Sequence, residues 1–294
     1  MPENLSQFLL KKNIIIKAGL ETSCPEEAIK LYRKELDEYN RSFQNSVIVN
    51  FGYGGFFGNA VLFLKEGAKH VYLIDKYATC DNEKNLALIN DNKQYLYEQN
   101  ESPKRAPVSI KSGASPGPKE FAPTQSIGVL DTNKQCIPNP EYITLIHDDI
   151  ATCYQNIKAD IVLSTSVLEH VNEDELDKVI YSLTKITKPD GIHIHFIDLR
   201  DHYFKYPFQM LCYSEKVWKK FLNPPGNLNR LRLKDYEKIF NKYFTDVKYK
   251  ITESNIKEFK KIKGKIMSEF ITGNDEIDAV TQIVIIASKP FVNL

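Results

Sequence analysis

The sequence predicts an α/β chain built on a doubly wound, mostly parallel seven-stranded sheet, and three observations lead there. Five short runs rich in valine and isoleucine, at 46–51, 70–75, 142–147, 159–165 and 192–198, read as strands covered on both faces. Helical patterns separate them, and such alternation implies right-handed crossovers within a parallel sheet. Two later strands, near 245–252 and 280–288, enclose a helical stretch around 255–267 and complete the sheet.

Taken in order, the chain first shows Ile29, Tyr32, Leu36, Tyr39 and Phe43 at spacings of 3, 4, 3 and 4. That periodicity puts them on one helical face. Pro25 suits a first turn, and Glu26 and Glu27 suit its positive end. The expectation is a helix over 25–43 that caps the main fold, dividing the chain into a cap (1–45) and a main domain (46–294). Next, VIVNF runs into the turn GYGGFFG and an amphipathic stretch, and VYLI then ends in a lone acid, Asp75. Residues 81–98 read as the following helix. Further on, Leu176, Val179, Ile180, Leu183 and Ile186 form one helical stripe, with Asn172 at its start and Pro189-Asp190-Gly191 as a turn at its end.

Residues 100–140 differ, holding seven of the fourteen prolines. A long segment with no element of its own is usually functional or disordered. As a helix-to-strand connection it belongs at the amino ends of the parallel strands, away from the carboxyl ends where ligands sit. It is therefore expected to be a peripheral arm, serving a homo-oligomer contact rather than covering a site.

The bulk composition excludes several classes. Lysine and arginine total 39 against 38 acids, which gives no sign of a nucleic-acid or membrane-surface protein. The five cysteines are widely spaced, odd in number and form no CxxC pair, so a reducing compartment fits better than a disulfide scaffold. Lys11, Lys12 and Lys17 interrupt the N-terminal apolar stretches, and no run reaches the roughly 20 apolar residues that span a bilayer. The expectation is a soluble cytoplasmic protein.

The glycine turn carries the chemistry. A phosphate-binding dinucleotide fingerprint needs glycine at its first, third and sixth positions. Gly52 and Gly54 qualify, but Phe57 stands sixth and would obstruct a pyrophosphate. A P-loop fails too, since no Gly-Lys-Ser/Thr follows. A ligand with an adenosine end and no phosphate fits better, with Asp75 placed 23 residues after Gly52 to accept its ribose hydroxyls.

With these residues in view, the chain resembles a class I S-adenosylmethionine-dependent methyltransferase. NFGYGGFFG is similar to the family's first motif, Asp75 to its ribose-binding acid, and HDDI at 147–150 to its adenine-contacting turn. DIVLSTSVLEHV at 160–171 resembles the fourth motif, and LTKITKPDGIHIHFID at 183–198 the helix, turn and fifth strand. The ordered set covers about 46–200. DLRDHYFKYPF and NRLRLKDYEKIF resemble, more weakly, a bacterial subgroup found beside sugar- and polysaccharide-making enzymes.

The resemblance implies a Rossmann-like fold, S-adenosyl-L-methionine as cofactor, and a small-molecule substrate, with sugar derivatives among the candidates. It assigns cofactor contacts to Asn50, Gly52, Tyr53, Gly54, Gly55, Asp75, Lys76, Asp148, Asp149, Ile150, Ser164 and Thr165. Asn50 stands where the family usually has an acid, and Phe56 where it has a third glycine. Two rival readings follow: a binding module that keeps the fold without catalysis, and an NAD(P)-dependent oxidoreductase.

Transfer to a hydroxyl oxygen, with nitrogen as second choice, needs alignment and a base. His202 is the candidate base, with Asp201 orienting it or the substrate; His170, Arg200, Tyr203, Asn229 and Arg230 are candidate substrate contacts. Residues 203–232, with the sole tryptophan, Trp218, follow strand five and are expected to cover the substrate. His193 and His195 share one strand face, but no third ligand accompanies them, so no metal is expected. Asn223-Pro224-Pro225-Gly226 lacks the aromatic of an amino-methylating motif and reads as a loop.

Overall fold

The computed structural model describes residues 20–100, 134–151, 156–223 and 228–291. All seven expected strands are present: β1 (Val47–Phe51), β2 (His70–Ile74), β3 (Ile143–Ile146), β4 (Ala159–Thr165), β5 (Thr187–Asp198), β6 (Phe244–Ser254) and β7 (Val280–Pro290). They form one sheet in the order β3-β2-β1-β4-β5-β7-β6. The first five run parallel, and β7 runs antiparallel to both neighbours. The chain winds outward from β1 through β2 to β3, then crosses to β4 on the other side of β1. That reversal opens a crevice at the carboxyl ends of β1 and β4, the usual ligand position in such sheets.

Among the described residues, six helices of seven or more residues flank the sheet: α1 (Pro25–Asp37), α2 (Gly58–Lys65), α3 (Asn82–Leu88), α4 (Glu173–Lys185), α5 (Leu233–Tyr243) and α6 (Ile256–Ile262). Alternating strand residues face opposite layers. Ile48 and Leu163 pack with Ile29, Tyr32 and Leu36 of α1 and Phe63 of α2. Val49 and Val162 pack with Leu176, Ile180 and Leu183 of α4 and Phe240 of α5. The near-continuous burial of β1 and β4 follows from having helices on both faces. A third cluster joins Phe208, Met210, Trp218 and Leu228 to Phe259 of α6, beyond the carboxyl ends.

Several boundaries differ from expectation. Helix α1 stops at Asp37, because Asn40 takes a left-handed conformation (φ 52°); Phe43 nevertheless reaches the same core. Asn172 occupies the position before α4, but its side chain makes no capping bond. The Pro189-Asp190-Gly191 turn lies inside β5, where the pairing with β4 shifts register.

Helix α3, of 7 residues, is less than half the length expected of 81–98. The Asn92 side chain bonds the Leu88 carbonyl at 2.6 Å and closes the helix. Leu96–Asn100 then pairs antiparallel with Lys134–Pro138. The Asn82 side chain, at the start of α3, donates to the Lys134 carbonyl (2.6 Å) and accepts from the Cys136 amide (2.8 Å). Asn100 and Lys134 therefore lie beside the start of α3, on the carboxyl side of the sheet, whereas the segment's other end, at Asn139 and Pro140, leads into the amino end of β3 as expected. The oligomer contact assigned to that segment concerns 101–133, which lie outside the described residues.

No helix among the described residues is long and apolar enough to cross a membrane. Cys24, Cys80, Cys136 and Cys212 are free thiols.

Candidate functional site

The turn after β1 is built from glycines that other residues could not replace. Gly52, Gly54 and Gly55 all have positive φ, at 76°, 69° and 85°. A Cβ on Gly52 would lie 2.4 Å from the Val167 side chain, and one on Gly55 would lie 2.1 Å from the Thr79 carbonyl oxygen. The turn thus threads between the loop after β4 and the loop after β2. Asp75 fastens it: its Oδ2 accepts from the Gly54 amide at 3.1 Å, while Oδ1 accepts from Tyr77 and Ala78. A carboxylate has about four lone-pair sites. A vicinal diol at Asp75 would take the open site and share Oδ2 with Gly54.

The two phenylalanines separate. Phe57 is fully buried beneath the turn, its ring 6.3 Å from that of Tyr53, and its amide donates to Asn85 Oδ1 at 2.9 Å. The entrance to α2 is thereby closed to a phosphate both by the ring and by loss of a donor. Phe56 packs against Gly58, with Lys84 Nζ 6.0 Å from its ring centre.

Beyond the ends of β2 and β3, Lys76 Nζ bonds Asp149 Oδ2 at 2.7 Å. Asp149 beside it pushes the Lys76 ammonium above its ordinary value. Partial burial works against the Asp149 charge, but Lys76 outweighs it and holds that carboxyl below its ordinary value. Asp148 accepts from the Asp149 amide, and Ile150 is buried behind them. The Tyr53 hydroxyl lies 3.3 Å from His147 Nε2, with Cys80 Sγ 4.0 Å from the same nitrogen. His147 and Cys80 were not singled out in the sequence, although His147 opens the HDDI turn.

At the end of β4, both hydroxyls point into hydrogen-bonded networks. Thr187 donates to the Leu183 carbonyl, so its oxygen must accept from His193 Nε2 at 2.8 Å. His193 Nδ1 then accepts from His195 Nε2 at 3.2 Å, and His195 Nδ1 accepts from Ser164 at 2.7 Å. Burial pushes both imidazoles down, His195 to about 3, so both are neutral. The pair is thus occupied by neighbours. Among the described residues no group of three or more His, Cys, Asp or Glu is gathered as a metal ion requires.

Thr165 bonds the Tyr32 hydroxyl at 2.7 Å, and Tyr32 donates to Glu21. Glu21, on a single helical turn (Leu20–Ser23), also accepts from Asn50 Nδ2 at 2.9 Å. The other side-chain atom of Asn50, Oδ1, is buried without a partner. Burial pushes the Glu21 carboxyl up to about 7 against these hydrogen bonds, and the charge of Asp75 adds to the rise.

The loop after β5 carries the candidate catalytic residues. An open cavity of ≈ 370 Å³ is lined by Asp198, Arg200, Asp201, His202, Lys205, Pro207, Glu253 and Asn255. The Asp201 carboxylate accepts from the Tyr203 and Phe204 amides through Oδ1 and leaves Oδ2 buried without a partner. The acid within reach of the His202 ring is Asp198, with Oδ2 3.6 Å from Nε2. Burial opposes its charge, but His202 and the two-pronged Arg200 guanidinium hold Asp198 well below the usual carboxylate range. Arg200 also faces Glu253 at 3.6 Å. The His170 and His202 rings lie 5.2 Å apart. Glu169 is buried beside them, accepts from the Asp198 amide, and burial pushes its carboxyl up to about 8.

Tyr203 packs on Trp218, with its hydroxyl buried and without a hydrogen-bond partner. Asn229 and Arg230 are both used internally. Asn229 bonds the Leu168 and Val171 carbonyls, clamping the turn after β4. Arg230 is 4 % exposed and bonds Tyr213, Met210 and Glu215. Neither is among the residues lining the cavity. Glu21, Tyr32, Glu169 and Asp198 were missed in the sequence, because each gains its meaning from a neighbour distant in the chain or from burial.

No protein-family model matches the chain, and no curated protein matches it. Solved structures are similar at a distance. One is a phosphoethanolamine N-methyltransferase 2 from Haemonchus contortus with S-adenosylhomocysteine, at 13 % identity and TM-score 0.47, covering 88 % of this chain and 53 % of that one. Another is magnesium protoporphyrin IX methyltransferase from Synechocystis, also with S-adenosylhomocysteine, at 13 % identity and TM-score 0.45, covering 89 % and 82 %. A third is a didemethyltoxoflavin N1-methyltransferase from Burkholderia thailandensis, at 9 % identity and TM-score 0.45, covering 98 % and 90 %.

Proposed function

We propose that the protein is an S-adenosylmethionine-dependent methyltransferase acting on an oxygen of a small metabolite or sugar derivative. One observation carries the reading: a strand-end acid, Asp75, is tied directly to a glycine turn whose helix entrance Phe57 closes to phosphate. That combination suits a nucleoside without phosphates. The residues fit such a cofactor, since Asp75 keeps a lone-pair site beyond its three amide donors and Asn50 Oδ1 is an orphaned buried acceptor.

Asp75 would accept the ribose hydroxyls, the Asp148–Ile150 turn would meet the adenine, and the Asn50 end of β1 the amino-acid portion. The bound sulfonium supplies an already activated methyl group. The protein then has to align an acceptor, exclude water and remove a proton. His202 would take that proton; Asp198, held well below the usual carboxylate range 3.6 Å from its Nε2, supports that role because it can stabilise the resulting imidazolium. Arg200 keeps Asp198 fixed, and Asp201 shapes the loop that carries the histidine.

Calorimetric titration with S-adenosylmethionine, S-adenosylhomocysteine and NAD tests the reading. Binding of both sulfur compounds without NAD is expected; binding of NAD alone would overturn it. Tight cofactor binding without labelled-methyl transfer to any hydroxyl or amino acceptor in a broad panel would favour a binding module.

A further inference from the structure

We propose that Glu21, carried by the helical turn ahead of α1, is a cofactor-binding residue. Its carboxylate and Asn50 Oδ1 together receive the primary ammonium of the cofactor's amino-acid end. The inference rests on the methyltransferase reading and extends it to a residue outside every motif of the sequence.

Three observations lead to it. Glu21 is only 4 % exposed, yet no lysine, arginine or histidine among the described residues forms an ion pair with it. Its hydrogen-bond donors, Tyr32 and Asn50, are neutral. The charged group facing it is another acid, Asp75 of the β2 end. A buried carboxylate in such company lacks the countercharge that normally stabilises it.

The position is specific. Asn50 lies two residues before Gly52 on β1, and Thr165, which bonds Tyr32, ends the adjacent β4. Glu21 therefore reaches the switch-point crevice from outside the sheet. Beside it, Asn50 directs its amide nitrogen to Glu21 and leaves its oxygen unused. An ammonium has three donors and a positive charge, so it satisfies the orphaned oxygen and neutralises the acid at once. The side chain at 50 is itself uncharged, and the cap supplies the charge that β1 does not.

The test compares two ligands on the full chain by calorimetry at pH 8. S-adenosylhomocysteine carries the amino-acid end, whereas 5′-methylthioadenosine shares the nucleoside and sulfur but lacks it. Glu21→Gln should weaken S-adenosylhomocysteine at least tenfold and leave methylthioadenosine within twofold. Unchanged S-adenosylhomocysteine affinity, or an equal loss of both ligands, overturns the assignment while leaving the methyltransferase reading intact. A wild-type chain that binds neither ligand removes the cofactor reading itself.

Discussion

Three amides, from Gly54, Tyr77 and Ala78, converge on the Asp75 carboxylate, and this makes one side chain the clamp of the glycine turn and the proposed ribose acceptor. Charge-assisted bonds of this kind contribute roughly 1.5–3 kcal/mol each. Asp75→Ala should therefore weaken S-adenosylhomocysteine at least tenfold, as read by titration; unchanged affinity would remove Asp75 from the site. His202 invites a kinetic test instead. If it is the base, His202→Ala should lower the single-turnover rate by about 10²–10⁴ and flatten its dependence on pH between 6 and 9. A variant with an unaltered rate would refute the role. Asp75 was legible in the sequence because it ends an apolar run at a fixed distance from the glycines. Glu21 was not, because it meets Asn50 from 29 residues away, in a segment with no motif of its own.

At the scale of elements, the glycine turn is the least replaceable piece of backbone. Gly55 has φ 85°, and its missing Cβ faces the Thr79 carbonyl oxygen at 2.1 Å. Left-handed strain costs about 1–3 kcal/mol, and the carbonyl belongs to backbone that cannot simply rotate away. Gly55→Ala should lower unfolding free energy by at least that amount in a denaturant titration, with loss of cofactor affinity because the loop after Asp75 must shift. The strands were readable from their apolar runs, since burial on both faces leaves few polar residues in them. Helix α3 was misjudged because the polar stretch after Leu88 carries no apolar periodicity, and Asn92 ends the helix through a side-chain bond that no spacing reveals. The hairpin that follows depends on pairing across a long separation, which local pattern does not encode.

At the scale of the whole molecule, a buried acid makes folding stability depend on pH. Glu169 moves from an ordinary 4.5 up to about 8, chiefly through burial, and Asp198 nearby adds to the rise. The folded state holds this proton more tightly than the unfolded chain does. Its contribution is therefore complete below pH 4.5 and is lost as pH rises through about 8. Glu169→Gln cannot ionise, so its stability relative to wild type should improve by roughly 2–5 kcal/mol between pH 4.5 and 9. Chemical denaturation across that range checks the sign, and a constant difference would contradict it. The doubly wound architecture itself was legible as a whole, since alternation of strand and helix admits few topologies. The candidate catalytic loop was less so, because Asp198 is the last residue of a strand and only the fold shows it facing His202.

The run of bonds from Ser164 through His195 and His193 to Thr187 has a practical consequence. Its proton directions are fixed from one end, so each imidazole keeps one tautomer, protonated at Nε2. Both rings are sealed from solvent, which slows exchange of those protons. They should give persistent downfield resonances in a ¹⁵N-edited spectrum, without any label added to the ligand. Since Ser164 closes the run at the carboxyl end of β4, occupancy of the crevice should displace the His195 signal first. The protein would thus carry its own built-in probe of binding.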